Sequence, residues 1–375
     1  MSLTWPLIYA GAGVLPLVLS LILTPRSRRL GERLGLLDRP AEAKIHTTVK
    51  ARSGGIAIFL SFMLTVGFGL GIALYLEARG LLLSPGVAAL VRNIPGIMPR
   101  IAGLLAGAVF IFIVGIIDDR FTLGPWTKLL CQVASAMPLL AVGIRIQLFL
   151  PSAVGMALTV FWVVLLTNSM NFLDNMDGLS SGIAIIVALM LAIVSSSAGE
   201  RFITMVLIVF AGAVGGFWYH NFIRSRLFMG DGGSLFIGYI LAAVTIMATY
   251  FRPGVPTALP VLTPLIILGV PLFDTITVLY IRYREGRPLM KGDTNHFSHR
   301  LVQLGMSRGG AVIFIYFVTI SVAMAALPLS SLTRGKAIIQ TAHVILWFLL
   351  IFLLEDTAKK KASRQSEALG GGNAQ

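Results

Sequence analysis

Eleven apolar stretches recur along the chain, near residues 5-24, 54-76, 101-117, 127-143, 154-170, 182-198, 202-220, 234-251, 258-281, 310-327 and 337-354. Each approaches the roughly 20 residues that a helix needs to cross a bilayer core. The pattern predicts an all-α, polytopic integral membrane protein of about 11 transmembrane helices joined by short loops. No repeat or long linker divides it, so residues 1-354 read as a single transmembrane domain. The tail 355-375 is basic and low in apolar residues, and reads as disordered.

Composition agrees with that pattern. The chain is 56% hydrophobic and 12% charged, too little charge to cover the surface of a soluble domain of 375 residues. The formal charge of +14 would suit a nucleic-acid binder if it formed one stripe, but the basic residues sit in short loops beside apolar runs. Membrane topology explains them better, with the lipid bilayer as partner and no nucleic acid. Residues 5-24 lack a basic leader and are followed by RSRRLGERLG, which reads as a first span rather than a signal peptide. Most of the 30 Lys and Arg fall in loops 25-53, 118-126, 221-233 and 282-309, at Lys128 and in the tail. By the positive-inside rule these face the cytoplasm, with the N-terminus outside and the C-terminus inside.

Polar residues concentrate in four clusters: GIIDDRF with Asp118 and Asp119, NSMNFLDNMDGLSSG with Asp174 and Asp177, FMGDGGS with Asp231, and KGDTNHFSHRL with His296, His299 and Arg300. All four fall on the predicted cytoplasmic side, as one shared site requires. Five of the chain's nine aspartates lie at these span ends, where an unpaired anion is costly. A hard divalent ion such as Mg²⁺, held by one or two carboxylates plus substrate phosphates, would compensate them. The plain alternative is that individual aspartates cap helices. Asp118 and Asp119 are adjacent and point in different directions, so one could bind or orient while the other acts as base. Gly232 and Gly233 before a span would leave backbone N–H groups open to an anion, although a glycine pair also marks an ordinary turn. His296 and His299, three apart beside Arg300, could donate to a phosphate or sugar; no cysteine or further histidine cluster lies nearby to support zinc. His220 could line the cytoplasmic mouth or simply pack. Asp274 lies about 10 Å inside span nine, suiting either a lipid-facing groove or a helix–helix hydrogen bond.

GIIDDRF, NxxNFLDNMDGL, FMGDGGSLFIG and NHFSHRL, in this order on alternate loops, resemble the polyprenyl-phosphate N-acetylhexosamine-1-phosphate transferases, and KIHTTVKARSGG looks like that family's first cytoplasmic loop. The resemblance runs from about Lys44 to about Leu304. It implies Mg²⁺-dependent transfer, with Mn²⁺ as the alternative ion, of a sugar-1-phosphate from a UDP-N-acetylhexosamine to polyprenyl (undecaprenyl) phosphate. UMP would be released at the inner face of the bacterial inner membrane, starting a lipid-linked cell-envelope glycan. By the same resemblance Asp231, with Asp118, would hold the metal, and Asp118 and Asp119 would hold or deprotonate the lipid phosphate beside Lys128. Asn171, Asp174 and Asp177 would frame nucleotide and metal; His296, His299 and Arg300 would meet the donor, and Lys44 and His46 would bind substrate. A homodimer is compatible with it.

The sequence departs from the family in having Asp174-Asn175 where Asp-Gly is usual, and Thr-Thr-Val where prolines are common in the first loop. Asn tolerates positive φ, so the first turn can survive. The closing motif is nearer the branch that primes O-antigen, teichoic acid or common-antigen synthesis, implying UDP-GlcNAc as donor. The phospho-MurNAc-pentapeptide transferase branch, with adjacent histidines, is the alternative. A secondary transporter is the rival from another class, but transporters gather coupling acids near the midplane rather than at one surface.

Overall fold

The computed structural model describes residues 4–38, 50–81, 85–147, 151–225, 227–248, 250, 258–288 and 295–370, with the backbone alone for 355–370. Lys44 and His46 lie outside the described residues. The chain groups into two compact units, Met1–Thr249 and Tyr250–Gln375.

The first unit runs α1 (Thr4–Leu34), a short antiparallel pair β1 (Leu37–Asp38) and β2 (Lys50–Ala51), α2 (Gly54–Ala78), α3 (Pro85–Arg92), α4 (Ile94–Phe121), α5 (Pro125–Ala141), α6 (Ser152–Leu173), α7 (Leu179–Ser197), α8 (Arg201–Trp218), a π-helical turn Tyr219–Ile223 and α9 (Asp231–Met247). The second contains a 3₁₀ turn Leu259–Leu262, α10 (Thr263–Ile267), α11 (Gly269–Arg284), α12 (Phe297–Gln303), α13 (Arg308–Met324) and α14 (Arg334–Gly370).

All eleven apolar stretches carry helix, and the protein is an all-α, multi-pass membrane protein. Among the described residues seven helices are long and apolar enough to cross a bilayer, or eight if one bent pair is a single span. That pair is the ninth stretch, which bends by 71° between Leu259–Ile267 and Gly269–Arg284. Pro271 lacks the N–H that would continue the ladder across Gly269, so the helix breaks there. Helices α9 and α13 have 17 residues each, about 26 Å of rise against a core of roughly 30 Å.

Helix α9 forms the centre of the first unit. It is apolar on every side, every residue from Gly232 to Thr245 is buried, and α4 and α6 pack along it. Without a hydrophobic drive in lipid, such packing depends on small residues that let backbones approach. At Gly115 of α4 a Cβ would lie 2.5 Å from the Asp231 carbonyl oxygen and from Gly232 Cα. That close approach sets the first turn of α9 beside the last turn of α4, where Asp118 and Asp119 lie.

The segment before α9 is stitched to β2 and the start of α2. Phe228 N–H donates to the Ala51 carbonyl (2.9 Å), while Gly54 and Gly55 N–H donate to the carbonyls of Phe228 (3.0 Å) and Met229 (2.8 Å). The ends of α4 and α6 and the starts of α2, α5, α7 and α9 therefore share one end of this unit.

Candidate active site

At that end two carboxylates converge on one ammonium. Lys128, in the first turn of α5, pairs with Asp118 Oδ2 at 2.7 Å and also bonds Asp231 Oδ2. Asn171, from the last turn of α6, donates to Asp231 Oδ1 and to Ser234 Oγ, each at 2.9 Å. Four helices thus contribute Asp118, Lys128, Asn171 and Asp231 to one polar cluster. Asp118 is buried and its Oδ1 also accepts the Leu123 N–H at 2.7 Å, which closes the turn after α4.

The adjacent Asp119 serves another purpose. Its Oδ1 accepts the Asp231 N–H at 2.9 Å and its Oδ2 the Gly232 N–H at 3.0 Å, so the carboxylate sits on the N-terminus of α9 and interacts with its dipole. The N–H groups of Gly233 and Ser234 donate to the Gly230 carbonyl at 3.1 and 3.0 Å. This corrects the anion cradle expected from Gly232 and Gly233: a carboxylate from α4 already takes that place. The glycines serve close packing, Gly233 against Gly55 and Gly232 against Ile116.

Asp174 follows α6 as its C-cap and makes no side-chain hydrogen bond or ion pair among the described residues. Burial, then the like charges of Asp231, Asp119 and Asp177, push its carboxyl well above the usual carboxylate range, with Arg52 opposing. An unpaired acid facing three others calls for a cation. Asp177 is compensated: Lys50 Nζ lies 3.3 Å from its Oδ2, and Ser225 Oγ–H also donates to that oxygen. Asn221, in the π-helical turn, accepts the Gly178 N–H at 2.6 Å and donates to the Leu227 carbonyl at 2.9 Å. That one amide ties the Asp177 turn to the segment leading into α9. Gly178 takes φ +83°, a conformation its missing Cβ permits. Asn175 stays out of that region; its amide donates instead to the Phe172 carbonyl at 2.7 Å. His220 faces inward, with Nε2 3.0 Å from the Leu21 carbonyl oxygen.

The second unit holds the closing motif. His296 Nδ1 lies 2.8 Å from Asp274 Oδ2, and Phe297 N–H donates to Asp274 Oδ1 at 2.6 Å. Of the two roles expected for Asp274, the structure gives it the helix–helix hydrogen bond. Arg300 donates to Thr277 Oγ1 at 3.2 Å, and the His296 and His299 rings lie 6.4 Å apart.

Among the described residues no three His, Cys, Asp or Glu side chains form a closed metal cage. Two converging carboxylates and a nearby unpaired third still suit Mg²⁺, which keeps several waters and takes its remaining oxygens from substrate phosphates. Residues the motifs did not single out are Lys50, Arg52, Asn221 and Ser225. Lys50 and Arg52 flank Ala51 in KARSGG, and alternation in an extended segment puts both cations on one side. Arg52 pairs with Asp38 Oδ1 at 2.9 Å.

Comparison with known proteins agrees with this site. The glycosyl transferase family 4 profile matches residues 101–249, from the middle of α4 to the end of α9. A probable undecaprenyl-phosphate N-acetylglucosaminyl 1-phosphate transferase of Bacillus subtilis is 30% identical over 351 residues, covering 91% of this chain and 89% of that protein. A decaprenyl-phosphate N-acetylglucosaminephosphotransferase of Mycobacterium tuberculosis is 33% identical, over 82% of this chain and 81% of its own. An undecaprenyl-phosphate alpha-N-acetylglucosaminyl 1-phosphate transferase of Escherichia coli K12 is 23% identical, over 90% and 87%. Similarity sustained over nearly the whole of both chains, centred on the helices that build the carboxylate cluster, shows that this chain belongs to glycosyl transferase family 4, in its branch of polyprenyl-phosphate N-acetylglucosamine-1-phosphate transferases.

Proposed function

We propose that the chain transfers N-acetylglucosamine-1-phosphate from UDP-GlcNAc to undecaprenyl phosphate, with Mg²⁺, releasing UMP at the cytoplasmic face of a bacterial inner membrane. The observation that carries this reading is the meeting of Asp118, Lys128, Asn171 and Asp231 from four helices, beside the unpaired Asp174. The activities of the relatives supply the class of acceptor, a polyprenyl phosphate, and the group transferred, N-acetylglucosamine phosphate. The end of the unit that carries the cluster also carries Arg28, Arg29, Arg33, Lys50, Arg52 and Arg224, which supports a cytoplasmic site with the N-terminus outside.

In the reaction, an oxygen of the lipid phosphate forms a bond to the sugar-bearing phosphorus of the donor. The bond from that phosphorus to the UMP oxygen breaks, and UMP leaves with the electron pair. A phosphate monoester has a second pKa of about 6. The acceptor is thus largely deprotonated near neutral pH, and no side chain has to remove a proton. The residues position groups and neutralise charge, which is what phosphoryl transfer needs. Asp118 and Asp231 would hold Mg²⁺, which supplies charge neutralisation at the diphosphate. Lys128, already between these two carboxylates, offers donors to a phosphate oxygen. Asn171 fixes Asp231, Asp119 fixes the turn that carries it, and Asp174 and Asp177, with Lys50, frame the donor. His296, His299 and Arg300 meet the sugar or diphosphate.

Purified protein in detergent, given undecaprenyl phosphate and a panel of radiolabelled UDP-sugars, tests the reading. Label from UDP-GlcNAc is expected in the lipid phase with equimolar UMP. Label from UDP-MurNAc-pentapeptide instead, or from no donor, contradicts it.

A further inference from the structure

Among the described residues Asp274 is the most deeply buried acid of the second unit, at 0% exposure, and lies in the first half of α11. A carboxylate so far from water needs full compensation. Its two oxygens are used on consecutive residues of the closing motif, Oδ2 on the His296 imidazole and Oδ1 on the Phe297 N–H. Capping α12 would need only the second contact. His296 is itself the N-cap residue of α12, yet its side chain makes no capping bond to that helix. The imidazole is held by α11 instead. One turn along α11, on the same face as Asp274, Thr277 accepts from Arg300. The Phe273 and Phe297 rings add an edge contact at 5.7 Å. One face of α11 therefore fixes two polar side chains of the motif.

Because a carboxylate oxygen accepts, its partner nitrogen carries the proton. An imidazole bound in this way has Nδ1–H towards the acid and presents Nε2 on its other edge. Where a carboxylate orients a metal-ligating histidine in this manner, its removal typically costs about 10- to 100-fold in affinity or activity, and an effect of that order is expected here.

We propose that Asp274 is a positioning residue, acting through His296: it fixes that ring with the proton on Nδ1, so that Nε2 is the nitrogen His296 brings to the sugar nucleotide. This rests on the proposed role of His296 at the donor, and the test separates the two. In detergent-solubilised full-length protein labelled with ¹⁵N-histidine, the His296 signals, assigned by their loss in His296→Gln, are expected to show a protonated Nδ1. A His296 ring whose only proton is on Nε2 overturns the proposal, and this measurement needs no change at Asp274.

Kinetics give the second reading. His296→Gln and Asp274→Asn are each expected to raise KM for UDP-GlcNAc about tenfold or more, with KM for undecaprenyl phosphate unchanged. The double variant is expected to be no worse than His296→Gln alone. Losses that multiply in the double variant overturn the positioning role, since Asp274 then acts independently of the ring. Full activity in His296→Gln removes the donor role of His296 itself and leaves the Nδ1 assignment to be judged by the spectrum.

Discussion

Asp119→Asn separates a structural carboxylate from a chemical one. Asp119 gives one oxygen to the Asp231 N–H and the other to the Gly232 N–H. Asparagine keeps one acceptor and turns an NH₂ group towards the other N–H. The loss is about one charge-assisted hydrogen bond, ~1.5–3 kcal/mol. Part of that overlaps with the anion–dipole interaction at the start of α9, worth up to about 2 kcal/mol in a partly buried geometry, and is not added to it. Relief from burying a carboxylate acts in the opposite direction, so a net cost near the lower bound, about 1.5 kcal/mol, is expected. For a unit the size of Met1–Thr249 this lowers Tm by roughly 3–6 °C. Because the first turn of α9 carries Asp231, a displacement of about 1 Å also lowers kcat by about 10²-fold. Thermal unfolding in matched micelles at one scan rate, with UMP release on the same preparations, measures both. Lost activity with Tm unchanged would refute the reasoning, because Asp119 would then act on substrate rather than on α9.

Other expectations follow from the same geometry. Asp174 has a folded-state pKa raised by burial and by neighbouring acids, so its ionised form costs stability, and the cost appears as pH rises above the unfolded value of about 4. In EDTA, Asp174→Asn should therefore raise Tm, by an amount that grows between pH 4 and pH 8; a gain that shrinks with rising pH contradicts this. Gly115→Ala puts a Cβ against the Asp231 carbonyl oxygen and Gly232 Cα, so overpacking of about 1–3 kcal/mol and a loss of activity are expected, whereas wild-type Tm and rate would disprove the close approach. In a Cys131→Ala background, Thr122→Cys and Arg224→Cys should react with an impermeant maleimide only from the cytoplasmic side, and labelling from outside breaks the proposed orientation.

The helices and the acids were legible in the sequence because both leave local signatures: apolar runs of bilayer length, and polar residues at their ends. Asp118, Asn171 and Asp231 meet as the ordered motifs implied. The division of labour between Asp118 and Asp119 was not legible, since it depends on contacts with residues more than a hundred positions away at the start of α9. The glycine pair is ambiguous for the same reason, compatible with an anion cradle or an ordinary turn. Gly232 and Gly233 suggested open amides, and only the packing of α4 and α2 on α9 shows what fills and crowds them. The 71° break in the ninth stretch had its cause in view, Pro271 just after Gly269, but hydropathy averages over such punctuation. Short elements such as α3 and the β1–β2 pair carry too few residues for a periodic signal. Lys50 enters the site through that pair, so its role became visible only with the fold.

The central claim is that Asp118 and Asp231 hold a magnesium ion for phosphoryl transfer, and the most direct test is the Mg²⁺ dependence of UMP release from UDP-GlcNAc and undecaprenyl phosphate. The account predicts saturation with Mg²⁺, loss in EDTA restored by added Mg²⁺, and no release by an Asp231→Asn variant whose Tm shows that it is folded. Undiminished release in EDTA, or from that variant, would contradict it.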